Sequence, residues 1–134
     1  MSKDKSFLQV VIGLVFDEES NVLINKRVSG KYMEGYWEFP GGKILEKEES
    51  FTALSRELKE ELGIIVKKAK SLMNYSYHYA KYSVDLDIWI VEYFLGQPSS
   101  KESQEIVWTK PEELYKFKML PSDKKIQDFL LAKK

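Results

Sequence analysis

The 134 residues predict an α/β fold, an α/β/α sandwich around a mixed central β-sheet. Three observations predict it: extended runs rich in β-branched and aromatic residues, an amphipathic helical segment in mid-chain, and a second such segment at the end. A chain of this length fits one domain, residues 1–134, and can bury most of its unfolded surface without disulfides.

The elements follow in order. Phe7 to Phe16 is rich in Val, Ile and Leu and reads as a buried strand; Asp17 to Asn21 is a turn, and Val22 to Arg27 a second strand, expected to run antiparallel to the first. A polar loop from Val28 to Gly35 carries Lys31 and Tyr32. Tyr36 to Pro40 is a short strand ending at a proline bend, with Trp37 and Phe39 either in the core or flooring a pocket. After the Gly41-Gly42 turn, Ser50 is placed to cap a helix whose Phe51, Leu54, Leu58 and Leu62 share one face, and Gly63 ends it. Ile65 to Lys70 and Ser71 to Tyr79 are extended. There, strand alternation puts Tyr75, Tyr77 and Tyr79 on one face and His78 on the other. Ala80 to Ser83 is the hairpin loop and Val84 to Phe94 its second arm. Gly96 to Gln104 has loop composition, Ile106 to Trp108 is a short strand, and Pro111 to Tyr115 begins a helical turn. Pro121 to Lys133 closes the chain as an amphipathic helix with Ile126, Phe129 and Leu130 inward.

Composition narrows the function classes. Lys plus Arg equals Asp plus Glu, so no net field argues for a nucleic acid or an anionic membrane as partner. There is no cysteine, which removes disulfides and thiolate metal sites and fits a reducing cytoplasm. Met1 to Lys5 is polar, and the apolar run that follows is too short and too β-branched for a signal core or a membrane span, so a cytoplasmic chain is expected.

The strongest chemical signal lies between Gly41 and Ile64. Gly42, Glu48, Arg56, Glu57, Glu60, Glu61 and Gly63 stand there at fixed intervals, a coincidence on the order of one in ten million at ordinary residue usage. Glu57, Glu60 and Glu61 are at i, i+3 and i+4, so three carboxylates leave one side of the helix and repel each other. A hard divalent cation with oxygen ligands relieves that repulsion, and Mg²⁺ in particular is held by a few carboxylates plus substrate phosphates.

This stretch resembles the Nudix box, G-x5-E-x7-R-E-U-x-E-E-x-G-U, over residues 42–64, with Leu58 and Ile64 at the aliphatic positions and no departure from the pattern. The resemblance implies a Nudix hydrolase that cleaves a nucleoside diphosphate linked to another group. Outside the box, Lys26-Arg27, Glu38 to Lys43, the Gly96 to Glu102 loop, Trp108 and Leu120 to Asp123 extend the likeness to MutT-type triphosphate pyrophosphohydrolases. It implies metal contacts from the Gly41 carbonyl, Glu57, Glu60, Glu61 and Glu102, with Mg²⁺ (or Mn²⁺) as cofactor. Glu57 is the preferred base, Glu60 and Glu102 its competitors, and Glu48 and Arg56 complete the catalytic set by orienting the carboxylates. The substrate contacts expected are Arg27, Glu38, Phe39, Gly42, Lys43, Tyr77 and Asp123. Arg27 is a phosphate or base contact or a plain edge cation, and Lys43 a phosphate contact.

The activity the resemblance implies is release of pyrophosphate from a small nucleoside triphosphate, with 8-oxo-dGTP as the expected substrate, which would clean the nucleotide pool and serve DNA repair and replication fidelity. CTP or a modified dCTP is the alternative, because an ionised Asp123 only accepts hydrogen bonds and an oxidised guanine also offers an acceptor. The plain alternative is that Ser122 or Asp123 is an ordinary helix-start stabiliser, and the family position favours substrate reading over it. A non-catalytic nucleotide-binding module is the third reading. The chain is expected to be a monomer or weak dimer, with no stable nucleic-acid complex and no membrane.

Overall fold

The structure, a computed structural model, describes residues 6–133; the polar start Met1 to Lys5 lies outside the described residues. Its strands are β1 (Ser6–Leu14), β2 (Val22–Lys26), β3 (Trp37–Glu38), β4 (Gly41–Lys43), β5 (Ile65–His78), β6 (Tyr82–Leu95) and β7 (Ile106–Thr109). The helices are α1 (Ser50–Leu62) and α2 (Lys124–Ala132), and 3-10 turns fill Pro111–Lys116 and Pro121–Asp123. The fold is the expected mixed α/β sandwich, with its strands in two sheets. One is mixed, in the order β4-β1-β6-β5; the other is antiparallel, in the order β3-β2-β7.

The two sheets explain the main departure from the expected pairing. β1 runs parallel to β6 along its whole length and antiparallel to β4, so both of its edges are occupied. The turn at Asp17 to Asn21 therefore joins β1 to β2 only at its base, where Phe16 bridges Val22 and the Leu23 N–H donates to the Val15 carbonyl. β2 then crosses to pair with β3 and β7.

Alternation along β1 feeds a core on each face. Ile12 and Leu14 join Ile126 and Leu130 of α2, whereas Val11 and Val15 join Ala53, Leu54, Leu58 and Leu62 of α1. Each of the three buried α1 leucines contributes about 1.5–3 kcal/mol of apolar burial. That fixes the opposite, glutamate-bearing side of α1 toward β4. Gly63, at φ +73°, ends the helix in the left-handed conformation, with its N–H on the Lys59 carbonyl.

Two expectations about α1 need correction. Glu49, not Ser50, occupies the cap position, and the Ser50 hydroxyl donates to the Asp87 carboxylate of β6 and accepts from Trp89 Nε1. A charged partner on the sheet outcompetes the helix backbone for that hydroxyl. Phe51 lies at the exposed margin of the apolar face, its ring edge against Trp89.

The tyrosine row does face the core, with Tyr75 and Tyr77 of β5 and Tyr79 just past its end packed against it. His78 points the other way and pairs through Nδ1 with Ser83 across the hairpin. The hairpin is tighter than expected, since Tyr79 N–H already bonds the Tyr82 carbonyl. Among the described residues, no helix is long and apolar enough to cross a membrane.

Candidate active site

A cavity of about 440 Å³ opens between α1, β4, the β5–β6 hairpin and the turn before α2. Glu57, Glu60, Glu61 and Glu102 line one end; Phe39, Leu120, Ser122 and Asp123 line the other. Arg27, Lys31, Glu38 and Lys43 also reach it, with Gly41 and Gly42 between the two ends.

The acidic end is assembled by three elements. Turn geometry brings β4 against α1 because Gly42 lacks a side chain: a Cβ there would stand 2.2 Å from Cδ of Glu57. Gly41 approaches β1 so closely that its Cβ would meet the Val11 carbonyl oxygen at 2.0 Å, and its N–H donates to Glu61 Oε1 at 3.2 Å. The Gly96 to Gln104 loop docks on the end of α1. There the buried Gln104 donates through Nε2 to the Glu61 carbonyl and accepts the Glu102 N–H, so Glu102 faces the helix carboxylates.

Behind them, Arg56 spreads its fork over four partners. It meets Glu48 through Nε and Nη2 at 2.8 and 2.9 Å, the Lys43 carbonyl at 2.9 Å and Glu57 Oε2 at 3.0 Å. Glu60, more exposed, is 3.5 Å from the same guanidinium. Hydrogen bonds from Arg56, and then from the Leu45 N–H, hold the Glu48 carboxyl down to about 2. Neither Glu48 nor Arg56 lines the cavity; both brace groups that do.

Electrostatically the acidic end is under-neutralised. Burial, reinforced by the charges of Glu38 and Glu57, pushes Glu61 up to about 9. Burial also raises Glu57, despite the opposing pull of Arg56. Among the described residues, no three acidic or histidine side chains converge closely enough to grip an ion as they stand. The donor set nevertheless fits a hard divalent cation: four carboxylates on one cavity wall, two of them raised in part by their neighbours' charge, beside the Gly41 backbone.

The other end has a different character. Asp123 is 1% exposed; its Oδ2 accepts the Phe39 N–H at 3.3 Å, and its Oδ1 has no partner. It stands at the cap position of α2 but makes no side-chain cap bond. Burial, then the charge of Glu38, raises its carboxyl well above the ordinary range, with the Phe39 N–H and Arg27 opposing.

Not every expected contact takes its expected place. Arg27 donates from Nη1 to Glu38 at 2.7 Å and from Nε to the Tyr32 carbonyl at 2.8 Å, so its fork is already engaged by protein. Phe39 is buried in the core and also lines the cavity, so both readings of it hold. Tyr77 does not line the cavity; its ring lies 4.7 Å from that of Tyr79, which does, as does Tyr82. The residues missed were thus the last tyrosine of the row and the first beyond the hairpin turn. Their signal was nearness to that turn, where both rings pack at the margin of the core.

An α/β sandwich with a cavity walled by carboxylates and flanked by lysines suits a hydrolase of phosphate anhydrides. The family model for the NUDIX domain matches residues 11–128, and the chain belongs to that family as a MutT-like Nudix hydrolase. It is 30% identical to an 8-oxo-dGTP diphosphatase of Haemophilus influenzae, over 96% of this chain and 94% of that one. It is equally 30% identical to a CTP pyrophosphohydrolase of Escherichia coli, over 91% of this chain and 90% of that one. Among solved structures, a MutT from work on Aliivibrio salmonicida and Vibrio cholerae superposes with a TM-score of 0.82 at 28% identity, covering 96% of this chain and all of that one.

Proposed function

We propose that this chain hydrolyses a nucleoside triphosphate to the monophosphate and pyrophosphate, with Mg²⁺ or Mn²⁺ as cofactor, and that its preferred base is 8-oxoguanine. Water attacks the β-phosphorus, the bond from that phosphorus to the α–β bridging oxygen breaks, and the monophosphate leaves with that oxygen. Glu57 takes the proton from the attacking water. Its place is fixed by the Arg56 guanidinium at 3.0 Å and by the close approach of Gly42. The bound cation would neutralise carboxylates and phosphate oxygens and so stabilise charge building up on the phosphoryl group. Lys43 and Lys31 supply cations for the phosphate tail, while Arg27 holds Glu38. Arg56 and Glu48 keep Glu57 in place.

The observation that carries the base assignment is the burial of Asp123 with one oxygen free. A neutral carboxyl offers an O–H donor and a carbonyl acceptor, as an amide does, and so complements the O6 acceptor and N7–H donor of 8-oxoguanine. Ionised, it would suit the exocyclic amine of cytosine, and the likeness to the CTP pyrophosphohydrolase keeps that second reading in the test.

The test is kcat/KM for 8-oxo-dGTP, dGTP, dCTP and CTP. A preference for 8-oxo-dGTP over dGTP of about 100-fold or more is expected, the scale of a donor–acceptor mismatch in a buried pocket. That preference should fade as pH rises through the raised Asp123 titration, and Asp123→Asn should keep it at high pH. Equal turnover of dGTP and 8-oxo-dGTP would refute the assignment, and a preference for CTP would transfer it. Pyrophosphate release undiminished in Glu57→Gln would remove the catalytic reading altogether.

A further inference from the structure

We propose that Tyr75 and Tyr79 are positioning residues for base selection, acting through Ser122 to hold Asp123 in register with the nucleotide. The inference rests on the base-reading role assigned above to Asp123. The Tyr75 hydroxyl donates to the Ser122 carbonyl at 2.6 Å. The Tyr79 hydroxyl donates to Ser122 Oγ at 2.8 Å and accepts the Ser122 N–H at 3.0 Å. The Ser122 N–H, carbonyl and Oγ thus each meet one of two phenols, Tyr75 in β5 and Tyr79 just past its end, more than forty residues away in the chain.

The neighbour of Ser122 explains why such a grip is needed. Asp123 makes a single long side-chain bond, to the Phe39 N–H, and leaves its other oxygen bare. The three residues Pro121–Asp123 form one turn of 3-10 helix, whose own bond from the Asp123 N–H to the Leu120 carbonyl cannot fix a carboxyl to a fraction of an ångström. Reading a base edge requires such precision. Two rigid rings provide it, because Tyr75 in β5 and Tyr79 at the start of the hairpin turn fix Ser122 from different points. Tyr79 is itself held among Tyr77, Tyr82 and Tyr32, with ring centroids at 4.7, 5.6 and 5.9 Å. Its ring position therefore does not depend on the hydroxyl, and a phenylalanine there deletes the grip while keeping the packing.

The experiment compares Tyr75→Phe, Tyr79→Phe, their double variant and Asp123→Ala on 8-oxo-dGTP and dGTP, well below each melting temperature. Tyr79→Phe, which loses two hydrogen bonds, should cut the ratio of kcat/KM values for the two nucleotides about tenfold, chiefly through KM for 8-oxo-dGTP. Tyr75→Phe should cut it several-fold, and the double variant should approach Asp123→Ala. Folded tyrosine variants that keep the wild-type ratio, while Asp123→Ala loses it, would overturn the grip alone. An unchanged ratio in Asp123→Ala would overturn the base reading and the grip with it. Equal loss of activity on both nucleotides, with the ratio kept, would mark the tyrosines as merely structural and also overturn the proposal. Should a phenylalanine variant fail to fold, Ser122→Ala removes only Oγ and carries the same comparison.

Discussion

Gly42→Ala isolates the placement of Glu57 from everything else in the site. An added Cβ at residue 42 would stand 2.2 Å from Glu57 Cδ and 2.3 and 2.5 Å from its two oxygens. Ordinary contact begins at 3.4 Å, so the carboxyl must retreat by at least about 1.2 Å. It can do so, because the obstacle is the far end of a flexible side chain and not backbone. The fold should therefore survive with a stability change of about 1 kcal/mol or less. The chemistry should not survive intact: a displacement of about 1 Å in a reacting group costs on the order of 100-fold in rate. The assay is steady-state pyrophosphate release from 8-oxo-dGTP with Mg²⁺, alongside thermal melting followed by circular dichroism. A variant with wild-type melting and kcat within threefold of wild type would refute the reasoning, for it would mean that Glu57 need not stand where it does.

The adjacent Gly41→Ala should behave in the opposite way. Its Cβ would meet the Val11 carbonyl oxygen at 2.0 Å across a strand pair that cannot yield, so it should lose more than about 2 kcal/mol of stability in urea titrations. A stability equal to that of Gly42→Ala would contradict this. Glu61, raised to about 9, binds its proton more tightly folded than unfolded. Without divalent ions it should therefore cost stability as pH climbs from about 4.5 toward 9, a slope that Glu61→Gln makes shallower, leaving the share of the other raised carboxyls, Glu57 and Asp123, and that Mg²⁺ reduces. Melting temperatures in chelator at pH 5, 7 and 9 decide it, and identical slopes for wild type and variant would sink the point. Arg56→Lys keeps the charge but cannot span Glu48, the Lys43 carbonyl and Glu57 together. The Mg²⁺ concentration for half-maximal activity should rise 10- to 100-fold, roughly the effect of removing a residue that orients ligands; an unchanged midpoint would show that the fork is dispensable.

Local chemistry was what the chain made legible. α1 could be read from helical periodicity and its terminal glycine, and the tyrosine row from simple alternation, because each depends on neighbours a few residues apart. The partners of β1 could not. Its apolar run is compatible with a hairpin to β2, and only the presence of β6, some seventy residues later, takes that edge away. β3 and β4, two and three residues long, are too short to show any period.

The same limit separates the two ends of the cavity. The glutamates of α1 sit within one helical turn, so their crowding is visible in the spacing, and the family motif adds Glu102. Asp123 meets Phe39 across 84 residues, and its burial and free oxygen emerge only once β3, β5 and the turn before α2 are packed. Likewise Arg27 looked like a free cation because Glu38, eleven residues on, gave no sign of turning back to it.

Binding of Mn²⁺, counted by electron paramagnetic resonance in the wild-type protein, in Glu57→Gln and in Glu61→Gln, tests most directly whether the crowded carboxylates hold a cation. Saturable binding by the wild type, weakened at least tenfold in both variants while their folds persist, is the predicted result. Wild-type affinity retained in both variants would contradict the account.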